Sequence, residues 1–140
     1  METLTTRDVA DLLFAARERI DFYWNFYIVV VIAVIGWLVS NRRAMTVPMK
    51  ALVTIGYVIA SAMNALALWG AYTFAEALRS DLLRMLAAAP LDETRLILEQ
   101  HSFLAQRLLA AIVHLVIGAT ILFVVWFARL DSAPTEENRG

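Results

Sequence analysis

Residues 22–39 read FYWNFYIVVVIAVIGWLV, eighteen positions without one formal charge. Residues 51–72 and 108–128 are equally apolar and equally free of charge. Each run approaches the roughly 20 residues that a helix needs to cross about 30 Å of hydrocarbon. A helix in a soluble core would interleave polar positions, and membrane β-strands would be shorter and alternating. The expected fold class is therefore all-α: a polytopic membrane protein with three long transmembrane helices and helical extensions on one face.

Composition agrees with that reading. Of 140 residues, 61% are hydrophobic and only 18% charged, and mean hydropathy is +0.66. There is no cysteine, which excludes disulfides, thiolate metal sites and cysteine nucleophiles. Net charge is −1, so no bulk basic field points to nucleic acid. About twenty residues with several charges precede the first run, and no small-residue cleavage site follows it, so it is expected to stay as a span. Aromatic residues suggest two interfacial belts: Phe22, Tyr23, Trp24, Tyr27, Trp69, Tyr72 and Phe74 at one level, and Trp37, Trp126 and Phe127 at the other.

The connecting segments are themselves helical in pattern. Leu78, Leu82, Met85, Leu86 and Ala89 recur at helical spacing between Glu76, Arg79, Asp81 and Arg84. No glycine or proline intervenes until Pro90, and Asp92 is placed to cap a new helix carrying Leu96, Ile97, Phe103 and Leu104 into the third run. Span 51–72 with extension 73–89, a turn at 90–92, and extension 93–107 into span 108–128 form a long antiparallel hairpin. Setting Lys50 level with Arg129 pairs positions whose numbers sum to 179, and this puts the midpoint at the turn and Arg79 near Glu99 and Gln100. Residues 1–21 add an amphipathic helix continuous with span 22–39, with Thr5-Thr6-Arg7-Asp8 as a capping box. Its stripe of Val9, Leu12, Leu13, Ala16 and Ile20 suits packing on the hairpin; the alternative is a helix lying in the membrane interface. Residues 40–50 form a short loop, with Pro48 in the first turn after a Thr46 cap, and residues 129–140 read as a disordered tail.

Arg42, Arg43, Lys50 and Arg129 crowd the short face, which makes that face cytoplasmic by charge density and the N-terminus external. The location expected is a bacterial inner membrane.

Few polar residues interrupt the spans. Asn25, Asn64 and His114 lie at one depth, roughly 22 Å from the short face at 1.5 Å per residue. Such a layer serves as interhelical hydrogen bonding, or as a proton, ion or quinone site. As hydrogen-bonding glue, His114 would tolerate glutamine. Small residues recur every four positions at Gly56, Ala60 and Asn64, at Ala67, Ala71 and Ala75, and at Ala110, His114 and Gly118. These rows let helices approach closely, within a protomer or between protomers. His101 and His114, thirteen apart, would serve haem only with histidines from other chains, because the sequence has no third one. No dinucleotide, phosphate-loop, nucleophile-elbow, zincin or EF-hand motif occurs, and no catalytic, cofactor or metal residues are expected. The function expected is a non-enzymatic membrane protein, partnered by the lipid bilayer and by copies of itself, with an ion- or proton-conducting pore as one form of the assembly. The alternatives are an accessory or scaffold subunit of a larger membrane complex and a small lipid- or quinone-associated enzyme.

Overall fold

The computed structural model describes residues 5–40, 46–87 and 92–127. Four helices hold nearly all of them: α1 Thr6–Ser40, α2 Val47–Leu86, α3 Asp92–Gln100 and α4 Phe103–Phe127. There is no strand among the described residues. The turn around Ala88 to Pro90, the loop arginines Arg42 and Arg43, and the tail with Arg129 lie outside the described residues, as does the side chain of Asp92.

Residues of α1, of α2 and of the run Glu93–Phe127 are long and apolar enough to cross a membrane, with mean hydropathies of 2.1, 1.8 and 2.7. Only 11%, 17% and 22% of these apolar windows is buried within the protomer. Most of the apolar surface of these windows is thus left exposed by the chain itself.

The helix α1 starts on a reciprocal cap. The Asp8 backbone N–H donates to Thr5 Oγ1 at 3.3 Å, and the Thr5 backbone N–H donates to Asp8 Oδ2 at 2.8 Å. The Thr5 hydroxyl and backbone N–H hold the Asp8 carboxyl below its usual range. From there α1 runs unbroken to Ser40; it has no proline, and its one glycine, Gly36, lies in the last turns. Thr46 occupies the N-cap of α2 with extended backbone (φ −68°, ψ 153°) but makes no side-chain cap bond. Proline in the first turn of α2 supplies the fixed φ that a helix start accepts.

The central helix is α2, which packs against both α1 and the α3–α4 arm. In the half of the bundle that holds the start of α1, Val9, Leu13, Ala16 and Ile20 bury against Tyr72, Ala75, Leu78, Leu82 and Leu86 of α2. The amphipathic stripe therefore packs on the chain's own hairpin, with Leu12 turned outward. A second cluster joins Leu38, Tyr57, Ile121 and Val125 at the other end. There the ends of α2 and α4 are tied: Trp126 Nε1 donates to Thr54 Oγ1 at 3.1 Å, and Lys50 Nζ donates to the Trp126 carbonyl at 3.4 Å. A cation on a terminal carbonyl also complements the helix dipole.

The continuous arm expected from 93 through 128 is interrupted. The chain leaves helical geometry at His101 and Ser102, between α3 and α4. Ser102 Oγ accepts the backbone N–H of Leu104 at 3.2 Å, a serine cap that starts a new helix instead of prolonging the old one. The hairpin register survives the break. Glu76 meets Phe103 at the expected pairing, and Asn64 meets His114 within one residue of it.

The small-residue rows divide. Ala110 is buried, Ala71 packs on the cluster that holds Val9 and Leu78, and Ala60 and Ala67 are half-buried. Gly118 lies beneath Tyr57, where an added Cβ would sit 3.8 Å from the hydroxyl. Gly56 is exposed, and an added Cβ there would meet nothing within 4 Å, so of the two roles open to the row it does not serve packing within the protomer. Gly118→Ala should therefore change stability by less than about 0.5 kcal/mol. Gly118→Leu should cost about 1–3 kcal/mol by overpacking against Tyr57. Thermal unfolding in detergent reads both.

Candidate functional site

Halfway along the bundle, α1 and α4 are bridged by large side chains. The Tyr27 ring stacks on the His114 imidazole with centroids 3.9 Å apart and planes 21° apart. Trp24, one turn earlier on the same face of α1, approaches the imidazole at 5.2 Å and the Tyr27 ring at 6.3 Å. Rings of this size fill the separation that small residues would leave empty.

Hydrogen bonds determine the imidazole's state. His114 Nδ1 lies 3.0 Å from the Ala110 carbonyl, which only accepts, so Nδ1 carries the proton. In the neutral ring Nε2 is then an acceptor, and Asn64 Nδ2 donates to it at 3.2 Å. The amide oxygen Asn64 Oδ1 is buried without a partner. Rotating that amide would present an acceptor to a doubly protonated ring. The pair can thus accompany either protonation state of His114 with no backbone movement.

Hydroxyls extend the cluster. Tyr27 and Tyr57 share a hydrogen bond of 3.1 Å, Tyr27 also donates to the His114 carbonyl at 3.5 Å, and Trp24 Nε1 donates to Tyr72 at 3.1 Å. Asn64 and His114 are buried as expected of a polar layer, at 4% and 6% exposure. Asn25 is not part of it. It is exposed on α1, about 100° around the helix from Trp24. Of the residues read as one aromatic belt, Trp24, Tyr27 and Tyr72 face inward and belong to this cluster, whereas Phe22, Trp69 and Phe74 face outward. A signal for them exists: the stripe Val9, Leu13, Ala16 and Ile20 extends at three- and four-residue steps to Trp24 and Tyr27, and passes Asn25 by.

Nearer the α3–α4 junction lies a charged clamp. Arg79 donates Nη2 to Glu76 Oε1 at 2.5 Å and Nε to Oε2 at 3.1 Å, while Nη1 reaches the Leu98 carbonyl at 2.7 Å. Glu76 Oε2 accepts the backbone N–H of Phe103 at 2.9 Å. An anion thus caps the start of α4 and a cation caps the end of α3, each matched to its helix dipole. The Arg79 hydrogen bond, helped by the Phe103 N–H and the charges of Arg79 and Arg107, outweighs desolvation and holds Glu76 below its usual value. The cross-hairpin partner of Arg79 is this carbonyl and not Glu99, which pairs with Arg95 at 2.8 Å.

On the outer side of α2 and α4 a groove of about 560 Å³ opens beside the cluster. Ser61, Ala62, Ala65, Ala111, Gly118 and Ala119 form much of its floor. No group of three or more histidine, aspartate or glutamate side chains stands together as a metal site among the described residues. No protein-family model, curated protein or solved structure matches this chain.

Proposed function

We propose that the chain is an integral membrane protein, of the bacterial inner-membrane type, that works as an assembly of its own copies joined along the α2–α4 groove. The observation that carries this reading is the groove itself: a concave, small-residue surface on two helices whose apolar windows are 17% and 22% buried. Small side chains let a facing helix come close, and in lipid that van der Waals contact drives association. The His114–Asn64–Tyr27 cluster sets the spacing of the three helices behind this surface. Both imidazole nitrogens and the Tyr57 hydroxyl are bonded inside the protomer, so the cluster's role in this reading is to hold the helices. In a pore-forming assembly it would be the place where a proton is held. The short face, with Lys50, is cytoplasmic in this orientation.

Particle mass in detergent tests the assembly. A defined multiple of 15.7 kDa is expected for the wild type. Ala62→Trp, which fills the groove at an exposed position, should yield a helical particle of lower mass. A wild-type monomer, or an Ala62→Trp particle of unchanged mass, would count against the seam.

A second reading, an accessory subunit of a larger membrane complex, is favoured by a separate feature. Leu96 and Ile97 on α3 are 55% and 60% exposed on an arm that lies beyond the spans. They would meet a partner there. Co-purification of a second polypeptide, lost in a Leu96→Ser, Ile97→Ser double variant, would distinguish this reading from the first.

A further inference from the structure

Beside the clamp lies a pocket of about 170 Å³, bordered by Tyr72, Thr73, Glu76, Ser102, Phe103 and Arg107. Donors exceed acceptors around it. The Arg107 guanidinium lies 4.2 Å above the Trp69 ring and donates Nη1 to Thr73 Oγ1 at 3.2 Å. Its Nε is buried with no acceptor, and no carboxylate pairs with it within 4.0 Å among the described residues. Thr73 spends its own proton on the Trp69 carbonyl at 2.8 Å. The hydroxyls of Ser102 and Tyr72 accept bonds, from Leu104 N–H and Trp24 Nε1, and each retains a proton to give. Glu76 is the acid present, and both its oxygens are occupied by Arg79 and Phe103 N–H. A further cation, Arg17, lies 6.0 Å from the Phe103 ring. Of the pocket's own charged residues, Glu76 is thus already paired with Arg79, whereas Arg107 has no carboxylate partner among the described residues.

We propose that this pocket holds the phosphate of an anionic phospholipid headgroup. Phosphate supplies acceptors only, and a guanidinium fork engages it with charge-assisted bonds. The height of the pocket fits a lipid source. Arg107 stands immediately before Leu108, where the apolar run of the third span begins, and Trp69 beneath it belongs to the residue type that sits at headgroup level. An arginine at that position reaches outward to headgroups while its stem stays on apolar surface. The proposal rests on the membrane reading given above, and a free phosphate ion shares the same recognition chemistry.

The test uses the full chain purified in a neutral detergent, after an alkaline wash of membranes has shown whether the chain stays in the pellet. That wash examines the membrane reading by itself. Thermal unfolding is then followed against short-chain phosphatidylglycerol, phosphatidylcholine of equal chain length, and inorganic phosphate. Phosphatidylglycerol is expected to raise the midpoint saturably, through binding to the folded state, and the other two to do so much less. Arg107→Gln should weaken the apparent affinity at least about tenfold, as loss of a charge-assisted hydrogen bond implies. Should Arg107→Gln not fold, Arg107→Lys keeps the charge without the fork and should weaken binding several-fold. Arg84→Gln, at the exposed outer end of the arm, should leave it unchanged. Equal shifts from all three ligands, an Arg107-dependent shift from inorganic phosphate alone, or a phosphatidylglycerol shift that survives both Arg107 substitutions would each overturn the proposal.

Discussion

Glu76→Ala is expected to loosen the α3–α4 junction and to lower stability by about 3 kcal/mol. The substitution strands Arg79, whose side chain is only 13% exposed, and leaves the Phe103 backbone N–H without an acceptor. Breaking a buried pair by removing one partner costs about 3–5 kcal/mol, and the partial exposure of this pair puts the effect at the lower end. Arg79→Ala should cost less, because the Glu76 carboxylate keeps its bond to Phe103 and stands closer to solvent. Unfolding in detergent measures the loss. Hydrogen exchange of the Phe103 and Leu104 amides locates it, since both are held by side-chain caps.

The same clamp predicts a pH dependence of known sign. The folded-state pKa of Glu76 is depressed, chiefly by Arg79, so its contribution is complete above the unfolded value near 4.5. It is lost as pH falls from there through the folded value. Wild-type stability should therefore decline on acidification within that window, and Glu76→Gln should lack this part of the decline. An identical acid limb in both proteins would show that the carboxylate is not the group involved.

The second large effect is expected at His114. His114→Ala removes a ring stacked on Tyr27 and flanked by Trp24, deletes the partner of Asn64 and opens a cavity beside Tyr57. Loss of an interhelical hydrogen bond in a membrane protein costs about 0.6 kcal/mol, and about 1.7 at most. A stacked aromatic pair adds about 0.5–1.5 kcal/mol, and the cavity more. A combined loss of about 3 kcal/mol is expected. His114→Gln should sit between this and the wild type, at about 1–2 kcal/mol, because glutamine reaches Asn64 but cannot stack. Equal stability of His114→Gln and wild type would mean that the hydrogen bond alone matters and that the ring contact is incidental. Tyr27→Leu separates the two terms from the other side, since it removes the stack and keeps the His114–Asn64 bond.

Much of the architecture is legible in residues 22–39, 51–72 and 108–128, because an uncharged apolar run of that length has few stable conformations other than a helix in lipid. The stripe on residues 9–20 and the cap at Thr5 and Asp8 are legible for the same local reason: periodicity and capping depend on neighbours three or four positions away. So is the pairing of Glu76 with Phe103, since an antiparallel hairpin of straight helices admits one register once its ends are set.

Other features depended on rotation and on partners distant in the chain. Asn25, Asn64 and His114 share a depth, yet depth says nothing of azimuth, and Asn25 points away while Trp24 and Tyr27 close on the imidazole. The break at His101 and Ser102 interrupts a segment without glycine or proline. It is stabilised by Glu76 and Arg79 from another helix, which satisfy the orphan backbone groups that a broken helix exposes. Hydrogen-bonding capacity alone makes glutamine equivalent to histidine at position 114, and the stack on Tyr27 adds a difference of shape that spacing does not carry. Spacing along one chain sets what a helix can present, and only the packing of three helices decides which of those groups meet.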